Sequence, residues 1–365
     1  MESEVFIMKK PVKITLIVIA IILALVILTV GGYFIYVFSA FHRLGDAEID
    51  VSGKLEKSAS VNKEYKIVSF NIGFGAYEPD YGFFMDGGTE SRAWSKERLD
   101  KNMKAIASFL KGQNADFLFV QEVDFDSTRS YGFDEREYLL NELGDKTYTF
   151  AQNFDSPYLF YPIFCPHGIA RSGIMTFSSS EITYAQRVEL PIEDSLMKLV
   201  DLDRCYSKNY VKVDNGKNLV LYDFHLSAYT SDGKVVNEQL DLLLSDMEKE
   251  YKLGNYCIAG GDFNKDILGD SSVYFGKADQ EYTWAQPIPE DVLKKYSAVL
   301  VAPLDASNPV PTCRNADGPY HKGQFVLTID GFLVSPNVES KSAAVLDTQF
   351  AYSDHNPVEM IFELK

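Results

Sequence analysis

Among the 365 residues no two cysteines stand at C-x-x-C spacing. The spacing of Cys165, Cys205, Cys257 and Cys313 fits no C-x-x-C zinc pattern. Net positive charge is also missing: 35 Lys and Arg stand against 52 Asp and Glu, leaving −17. An acidic globule repels polyphosphate chains, so nonspecific binding to nucleic acid is disfavoured, although a local basic patch or a metal-neutralised site is compatible with it. No repeat or low-complexity tract divides residues 63–365. Charge of either sign is absent from Ile14 to Phe38.

That uncharged run holds about 25 residues, mostly Ile, Leu, Val and Ala, enough to span a bilayer with some tilt. A cleaved signal peptide would have an apolar core about half as long and would end in a small-x-small site, which Phe38-Ser39-Ala40 does not provide. Residues 14–38 therefore read as an uncleaved anchor, with 1–13 on the cytoplasmic side. Lys9, Lys10 and Lys13 precede the span, while Asp46, Glu48 and Asp50 follow it. The positive-inside tendency then puts the bulk of the chain outside the cytoplasmic membrane, as a single-pass protein of the cell membrane. Residues 39–62 read as a short polar stalk and 63–365 as the globular domain. Disulfides are permitted there, but Cys257, inside Tyr256-Cys257-Ile258-Ala259, reads as a free thiol in a buried strand.

Strand-like apolar runs recur at Tyr65–Phe70, Asp116–Val120, Ile174–Phe177, Leu219–Phe224, Tyr256–Ala259, Phe325–Ile329 and Pro357–Phe362. Two helices interrupt them. In Ser95–Lys111, Leu99, Met103, Ile106 and Leu110 share a face, with Ser95 as cap; in Lys234–Lys252, Val236, Leu240, Leu243, Leu244 and Met247 do the same. This order predicts an α/β fold of two similar halves: two facing mixed sheets with helices outside. The long irregular stretches Gly73–Ala93 and Asp266–Ala316 are expected to form the rim of a cleft.

Polar clusters stand at the ends of these runs: Ser69-Phe70-Asn71, Gln121-Glu122, Phe224-His225-Leu226, Gly261-Asp262-Phe263-Asn264, Thr328-Ile329-Asp330 and Tyr352-Ser353-Asp354-His355-Asn356-Pro357. Strand ends are where a sheet can aim several side chains into one pocket. Glu122, at the end of a buried strand, is costly to desolvate unless a hard cation such as Mg²⁺ offsets it. Asn71 offers an amide oxygen to the same ion or a means of positioning Glu122. Asp262 and Asn264, two apart, would face one target: the carboxylate to deprotonate a water, the amide to donate to a phosphoryl oxygen. His225 can give a proton to a leaving oxygen. Asp330 can fix the tautomer of His355. Asp354 shares a face with His355 only if the backbone turns, as Ser353 and Pro357 suggest. Taken singly, each of these residues has a plain structural reading as a turn, a cap or a rim charge; their ordered recurrence argues for chemistry.

These motifs in this order resemble the endonuclease/exonuclease/phosphatase superfamily, which includes deoxyribonuclease-I-like nucleases, apurinic endonucleases, bacterial sphingomyelinases and inositol polyphosphate phosphatases. The resemblance covers residues 63–365 and implies a four-layer α-β-β-α sandwich preceded by the transmembrane helix. It implies that Glu122 is the main Mg²⁺ ligand, with Mn²⁺ as an alternative ion, Asn71 beside it and Asp354 adding a contact. It further implies that Asp262 activates water, that Asn264 binds the scissile phosphate and that His355, held by Asp330, favours the transition state. His225 matches branches other than the apurinic endonucleases. The Trp-Cys-Asp-Arg run of inositol polyphosphate 5-phosphatases is missing, and Pro311-Thr312-Cys313-Arg314-Asn315 is a faint echo of it. In His167-Gly168-Ile169-Ala170-Arg171-Ser172-Gly173, Arg171 is a candidate substrate contact, with a solvated turn arginine as the alternative.

The expectation is thus a metal-dependent hydrolase of phosphate esters, tied to the bilayer by its N-terminal helix. A lipid head group or small phosphodiester is favoured as substrate, an extracytoplasmic nuclease is the runner-up, and a noncatalytic binding module on the same fold is the alternative of another class. No protein partner is inferable.

Overall fold

The computed structural model describes residues 9–199, 201–228 and 234–365. The chain separates into two units, Met1–His42 and Arg43–Lys365. In the first, α1 (Lys10–Ala40) is a single uninterrupted helix. It is long and apolar enough to cross a membrane.

The second unit is built on two mixed sheets. Its strands, in chain order, are β1 (Ala47–Glu48), β2 (Glu64–Asn71), β3 (Phe117–Asp124), β4 (Thr147–Asp155), β5 (Arg171–Ser178), β6 (Ile182–Glu189), β7 (Cys205–Lys212) and β8 (Asn218–His225). They continue with β9 (Tyr256–Asp262), β10 (Val299–Val301), β11 (Cys313–Arg314), β12 (Val326–Leu327), β13 (Asp330–Val334), β14 (Val338–Val345) and β15 (Val358–Leu364). One sheet has the order β14-β15-β2-β3-β5-β4, the other β1-β6-β7-β8-β9-β13-β10, and β11 with β12 forms a separate ribbon. The longer helices are α2 (Lys96–Gly112), α3 (Glu135–Leu143) and α4 (Lys234–Lys252), with the single turns α5 (Ser272–Phe275) and α6 (Glu290–Leu293) in the long loop after β9.

Side-chain alternation assembles the layers. Val68 and Phe70 of β2 with Leu118 and Val120 of β3 meet Leu99, Met103, Ile106 and Leu110 of α2. Ile67, Phe117 and Phe119 point the other way and meet Leu219, Leu221, Ile258 and Phe332 of the second sheet. On the far side Val220, Tyr222, Phe224, Cys257 and Ala259 pack under Leu240, Leu243, Leu244 and Met247 of α4. The result is the four-layer α-β-β-α sandwich expected from the pattern. Ser95 caps α2, its side chain accepting from the Arg98 N–H at 3.2 Å. The four cysteines are free thiols.

Between the sheets, towards the cleft, the filling turns polar. The Gln121 amide donates to Asp223 at 2.6 Å and to Ser69 at 3.2 Å. Thr149 donates to Asn209 at 2.6 Å, and Asn209 donates to Ser207 at 3.0 Å. Strands β4 and β7 were not anticipated for this reason: their inward residues include Thr, Asn and Ser.

Two further differences from the sequence reading matter. The stretch Phe325–Ile329 contributes only the short β12, and Asp330 opens β13 instead of ending a strand. From Arg43 onward the polar segment assigned to a stalk lies on the globule. There β1 pairs with β6, Ser52 bridges to Tyr148, Ala59 bridges to Val213, and Ile49, Val51 and Val61 pack against the core between the sheets. Its charges face outward while these few apolar residues hold it down.

Candidate active site

Register across three neighbouring strands builds half of the site. Parallel β8 and β9 place His225 opposite Asp262, and antiparallel β9 and β13 place Asp262 opposite Asp330. Gly261, with φ of 145°, lets β9 approach β8 so closely that a Cβ there would lie 2.0 Å from the Phe224 carbonyl oxygen. In the facing sheet, parallel β2 and β3 place Asn71 opposite Gln121, next to Glu122.

Simple alternation would send Glu122 to the helix side with Val120. Instead the pairing of β3 with β5 shifts register between Val120 and Val123, and Glu122 takes φ of 57°. This bulge in left-handed backbone re-aims the carboxylate into the cleft, a distortion typical of strands beside active sites. Asn264 also has positive φ, at 48°. At residues 351–354 the chain bends before β15, and the Ser353 hydroxyl donates to the Asn71 carbonyl at 2.8 Å while accepting the His355 N–H at 3.2 Å. That bend puts Asp354 and His355 on the same cleft.

Asn71 is buried at the centre. Its amide donates to Glu122 at 3.1 Å and to Asp262 at 3.1 Å, and lies 3.5 Å from His355 Nε2. Its oxygen accepts the Gly73 N–H at 3.0 Å. In this geometry the Asn71 amide bridges two of the carboxylates at the cleft. His355 Nδ1 is 2.8 Å from Asp330 Oδ2, while Nε2 lies 3.6 Å from Asp262 and 3.7 Å from Cys313 Sγ. His225 Nε2 lies 3.5 Å from Asp262. Asp262 also accepts the Asn264 N–H at 2.8 Å, and the Asn264 amide donates to the Leu226 carbonyl at 2.8 Å.

Electrostatics sort these groups. Burial raises Asp262 to about 7, with neighbouring Asp330 adding to the rise and His355 opposing it. Burial works against the His355 cation, but the hydrogen-bonded Asp330 carboxylate outweighs it and holds the imidazole well above its ordinary range. Burial pushes the Cys313 thiol up to about 12, so at neutral pH it adds no charge beside His355. His225 goes the other way: burial first, then Arg204 and His355, keep it neutral. Among the described residues its buried Nδ1 has no hydrogen-bond partner. Two imidazoles a few ångströms from one carboxylate thus hold opposite protonation states, the arrangement that acid–base chemistry on a single substrate requires.

Two donor sets could take a divalent cation. Ligand atoms of Asp262, Asp330 and His355 lie within 4.8 Å of one another, but Asp330 and His355 already satisfy each other. Glu122 and Asp354 fit a hard ion better. Both open partly on the cleft, burial raises both, Asp354 adds to the rise of Glu122, and neither forms a salt bridge among the described residues. Two such carboxylates facing one space are what a divalent cation with oxygen ligands neutralises.

The cleft over these groups is lined from the expected loops by Tyr77, Phe83, Met85, Asp86 and Trp284. Arg171 is not part of it. It opens β5 and pairs with Asp126 at 2.7 Å and Asp155 at 3.2 Å. The arginines lining the cleft are Arg129, Arg204 and Arg314. Arg129 is buried, gripped by both oxygens of Asp124 at 2.9 and 2.8 Å, with its guanidinium 4.0 Å from the Phe74 ring. Sequence reasoning missed Arg129 and Arg204: Arg129 stands a few residues beyond the end of β3, a weak signal, and Arg204, just before β7, carries none.

Among solved structures, an endonuclease/exonuclease/phosphatase from Beutenbergia cavernae superposes with a TM-score of 0.55 at 16% identity, over 83% of this chain and 72% of that one. ANGEL2, a 2′,3′-cyclic phosphatase solved with adenosine-2′,3′-vanadate, gives 0.55 at 17% identity, over 86% and 99%. D. rerio TDP2 with a single-strand DNA product gives 0.51 at 16%, over 83% and 100%. At these identities the likeness is one of fold. No curated protein sequence matches significantly. Residues 68–355 match the model of the Endonuclease/Exonuclease/phosphatase family, and the chain therefore belongs to that family of phosphate-ester hydrolases.

Proposed function

We propose that this protein is a membrane-anchored, Mg²⁺-dependent phosphoesterase whose substrate is a lipid head group or another small phosphodiester, with its catalytic domain outside the cytoplasmic membrane. The observation that carries this reading is the convergence of Asn71, Glu122, His225, Asp262, Asn264, Asp330, Asp354 and His355, drawn from both sheets, at one cleft. Glu122 and Asp354 would hold the ion, which supplies positive charge against the phosphate. Asp262, raised to about 7, is poised to take a proton from an attacking water near neutral pH. His355, kept cationic by Asp330, faces the negative charge that builds on the phosphoryl oxygens, and Asn264 lies on the same wall. His225, neutral and in contact with Asp262, completes the acid–base set.

The length and composition of α1, with the lysines before it, support the anchor and its orientation. The charge of −17 argues against a long polyanion as substrate, which places the nuclease second.

The purified full chain should hydrolyse bis(p-nitrophenyl) phosphate only with Mg²⁺ or Mn²⁺. Asp262→Ala and His355→Ala should each lower turnover by roughly 10²–10⁴-fold. Undiminished turnover in either variant sinks the role given to that residue, and metal-dependent binding without turnover of any ester would favour a binding module. A panel of plasmid DNA, RNA, sphingomyelin and inositol phosphates separates the lipid and nuclease readings.

A further inference from the structure

Between β4 and β5 the chain makes an excursion whose tip, Tyr158-Leu159-Phe160-Tyr161-Pro162-Ile163-Phe164-Cys165, contains no charged residue. Tyr161 is 66% exposed, Ile163 77%, and Phe164 is fully exposed. Backbone hydrogen bonds tie the segment in this conformation. Leu159 and Gly168 exchange two backbone hydrogen bonds of 3.0 Å, and the His167 N–H donates to the Tyr161 carbonyl at 3.1 Å. From the side, the Ser91 hydroxyl donates to the Cys165 carbonyl at 2.5 Å and Arg92 Nε to the Pro166 carbonyl at 2.7 Å. The apolar tip is therefore held out by a hydrogen-bonded hairpin. Leu159 and His167, at its root, line the active-site cleft.

What covers this tip follows from where the chain is tethered. Helix α1 ends at Ala40, and Arg43 is already fastened to the globule, by Glu189 at 2.6 Å, by the Leu190 carbonyl at 2.8 Å and by Asp203. Three peptide steps reach at most about 11 Å, whatever the direction of the helix. Asp203 in turn donates its N–H to the carbonyl of Asn153 on β4, the strand that leads into the hairpin, at 2.8 Å. Its neighbours Asp201, Leu202 and Arg204 line the same cleft as Leu159 and His167. Arg43 and the hairpin root are thus connected through Asp203 and β4, and both neighbourhoods border one cleft. An uncharged aromatic and aliphatic tip is suited to the boundary between head groups and acyl chains.

We infer that the hairpin tip, residues 160–164, inserts into the bilayer that holds α1, so that the cleft faces the membrane surface and draws its phosphate ester from a lipid. This deepens the proposed function and rests on it. With no charge in the tip, insertion is hydrophobic and indifferent to salt.

Cys165 is the one exposed thiol; Cys205, Cys257 and Cys313 are buried. The full chain, labelled at Cys165 with a polarity-sensitive fluorophore, is reconstituted into phosphatidylcholine vesicles that also contain sphingomyelin and phosphatidylinositol. The expected result is a blue-shifted emission, quenched by lipids brominated on their acyl chains and unchanged by salt. In Ile163→Asp/Phe164→Asp the quenching should vanish, and release of lipid head groups should fall at least tenfold relative to the parent, while bis(p-nitrophenyl) phosphate turnover stays the same. A probe that remains in water on vesicles that carry the protein through flotation overturns the inference, as does equal head-group release by the variant. Shielding that grows with protein density and ignores brominated lipid would assign the tip to a second copy and overturn it too. Failure of the chain to float with vesicles removes the anchor and this inference together. Failure to hydrolyse the soluble ester with metal removes the phosphoesterase reading alone and leaves the quenching to decide the docking.

Discussion

At the scale of single residues, the site is decided by which partner each titratable group is given. His355 and His225 begin with the same intrinsic affinity for protons and are both buried. Only His355 has a carboxylate at hydrogen-bond distance on Nδ1, and so it alone is pulled into the charged form. Asp330→Asn keeps the shape and removes that charge. If cationic His355 is the active form, activity is present below its folded-state pKa and lost as pH rises through it. Lowering that pKa must then move the alkaline limb of the pH–rate profile to lower pH, with turnover at neutral pH falling roughly 10²–10⁴-fold. A profile that drops in height without moving would show that Asp330 orients the ring and does not set its charge.

At the scale of elements, the strand ends were legible and the exceptions were not. Asn71, His225 and Asp262 could be read from the sequence because β2, β8 and β9 are buried on both faces and end abruptly in polar residues. The side on which Glu122 emerges was not legible, since nothing in Phe-Val-Gln-Glu-Val-Asp announces a bulge with left-handed backbone. Strands β4 and β7 hid behind inward-facing polar residues that satisfy one another between the sheets. Arg171 looked available because its partners Asp126 and Asp155 lie 45 and 16 residues away in sequence. The bulge also yields a prediction about metal. It turns Glu122, a carboxylate made costly by burial, towards Asp354, so a bound ion should relieve both. Mg²⁺ at 100 times its dissociation constant should stabilise the wild type by about 2.7 kcal/mol. In Glu122→Gln that gain should be lost, while the metal-free variant is at least as stable as the metal-free parent. Equal Mg²⁺-dependent shifts of the melting temperature in the two proteins would place the ion elsewhere, with the Asp262, Asp330 and His355 group as the next site to test.

At the scale of the whole molecule, the two sheets and the cleft rim keep two histidines, His167 and His225, uncharged inside a protein that is otherwise strongly acidic. His167, at the root of the hairpin, is buried, donates from Nδ1 to the Ser91 carbonyl at 3.0 Å, and is lowered by burial to about 3. His225 is lowered as well. In the unfolded chain both titrate near about 6.5. Between those values the unfolded state binds protons that the folded state refuses. The stability these groups allow is therefore complete above about pH 6.5 and is lost progressively as pH falls towards the folded-state values. For His167 alone the loss from pH 6.5 to pH 5 is about 2 kcal/mol, at 1.36 kcal/mol per unit. This opposes the usual benefit an acidic protein draws from shedding negative charge as the medium is acidified. Asp262, raised to about 7, works the other way over the same interval, so the His167 contribution is read as the difference between variant and wild type in urea unfolding at pH 7 and pH 5. His167→Gln, which keeps a donor for Ser91 and cannot charge, should lose about 2 kcal/mol less over the same interval. If variant and wild type decline in parallel, His167 is not kept neutral by its surroundings, and the packing of the hairpin root over the cleft is looser than the structure has it.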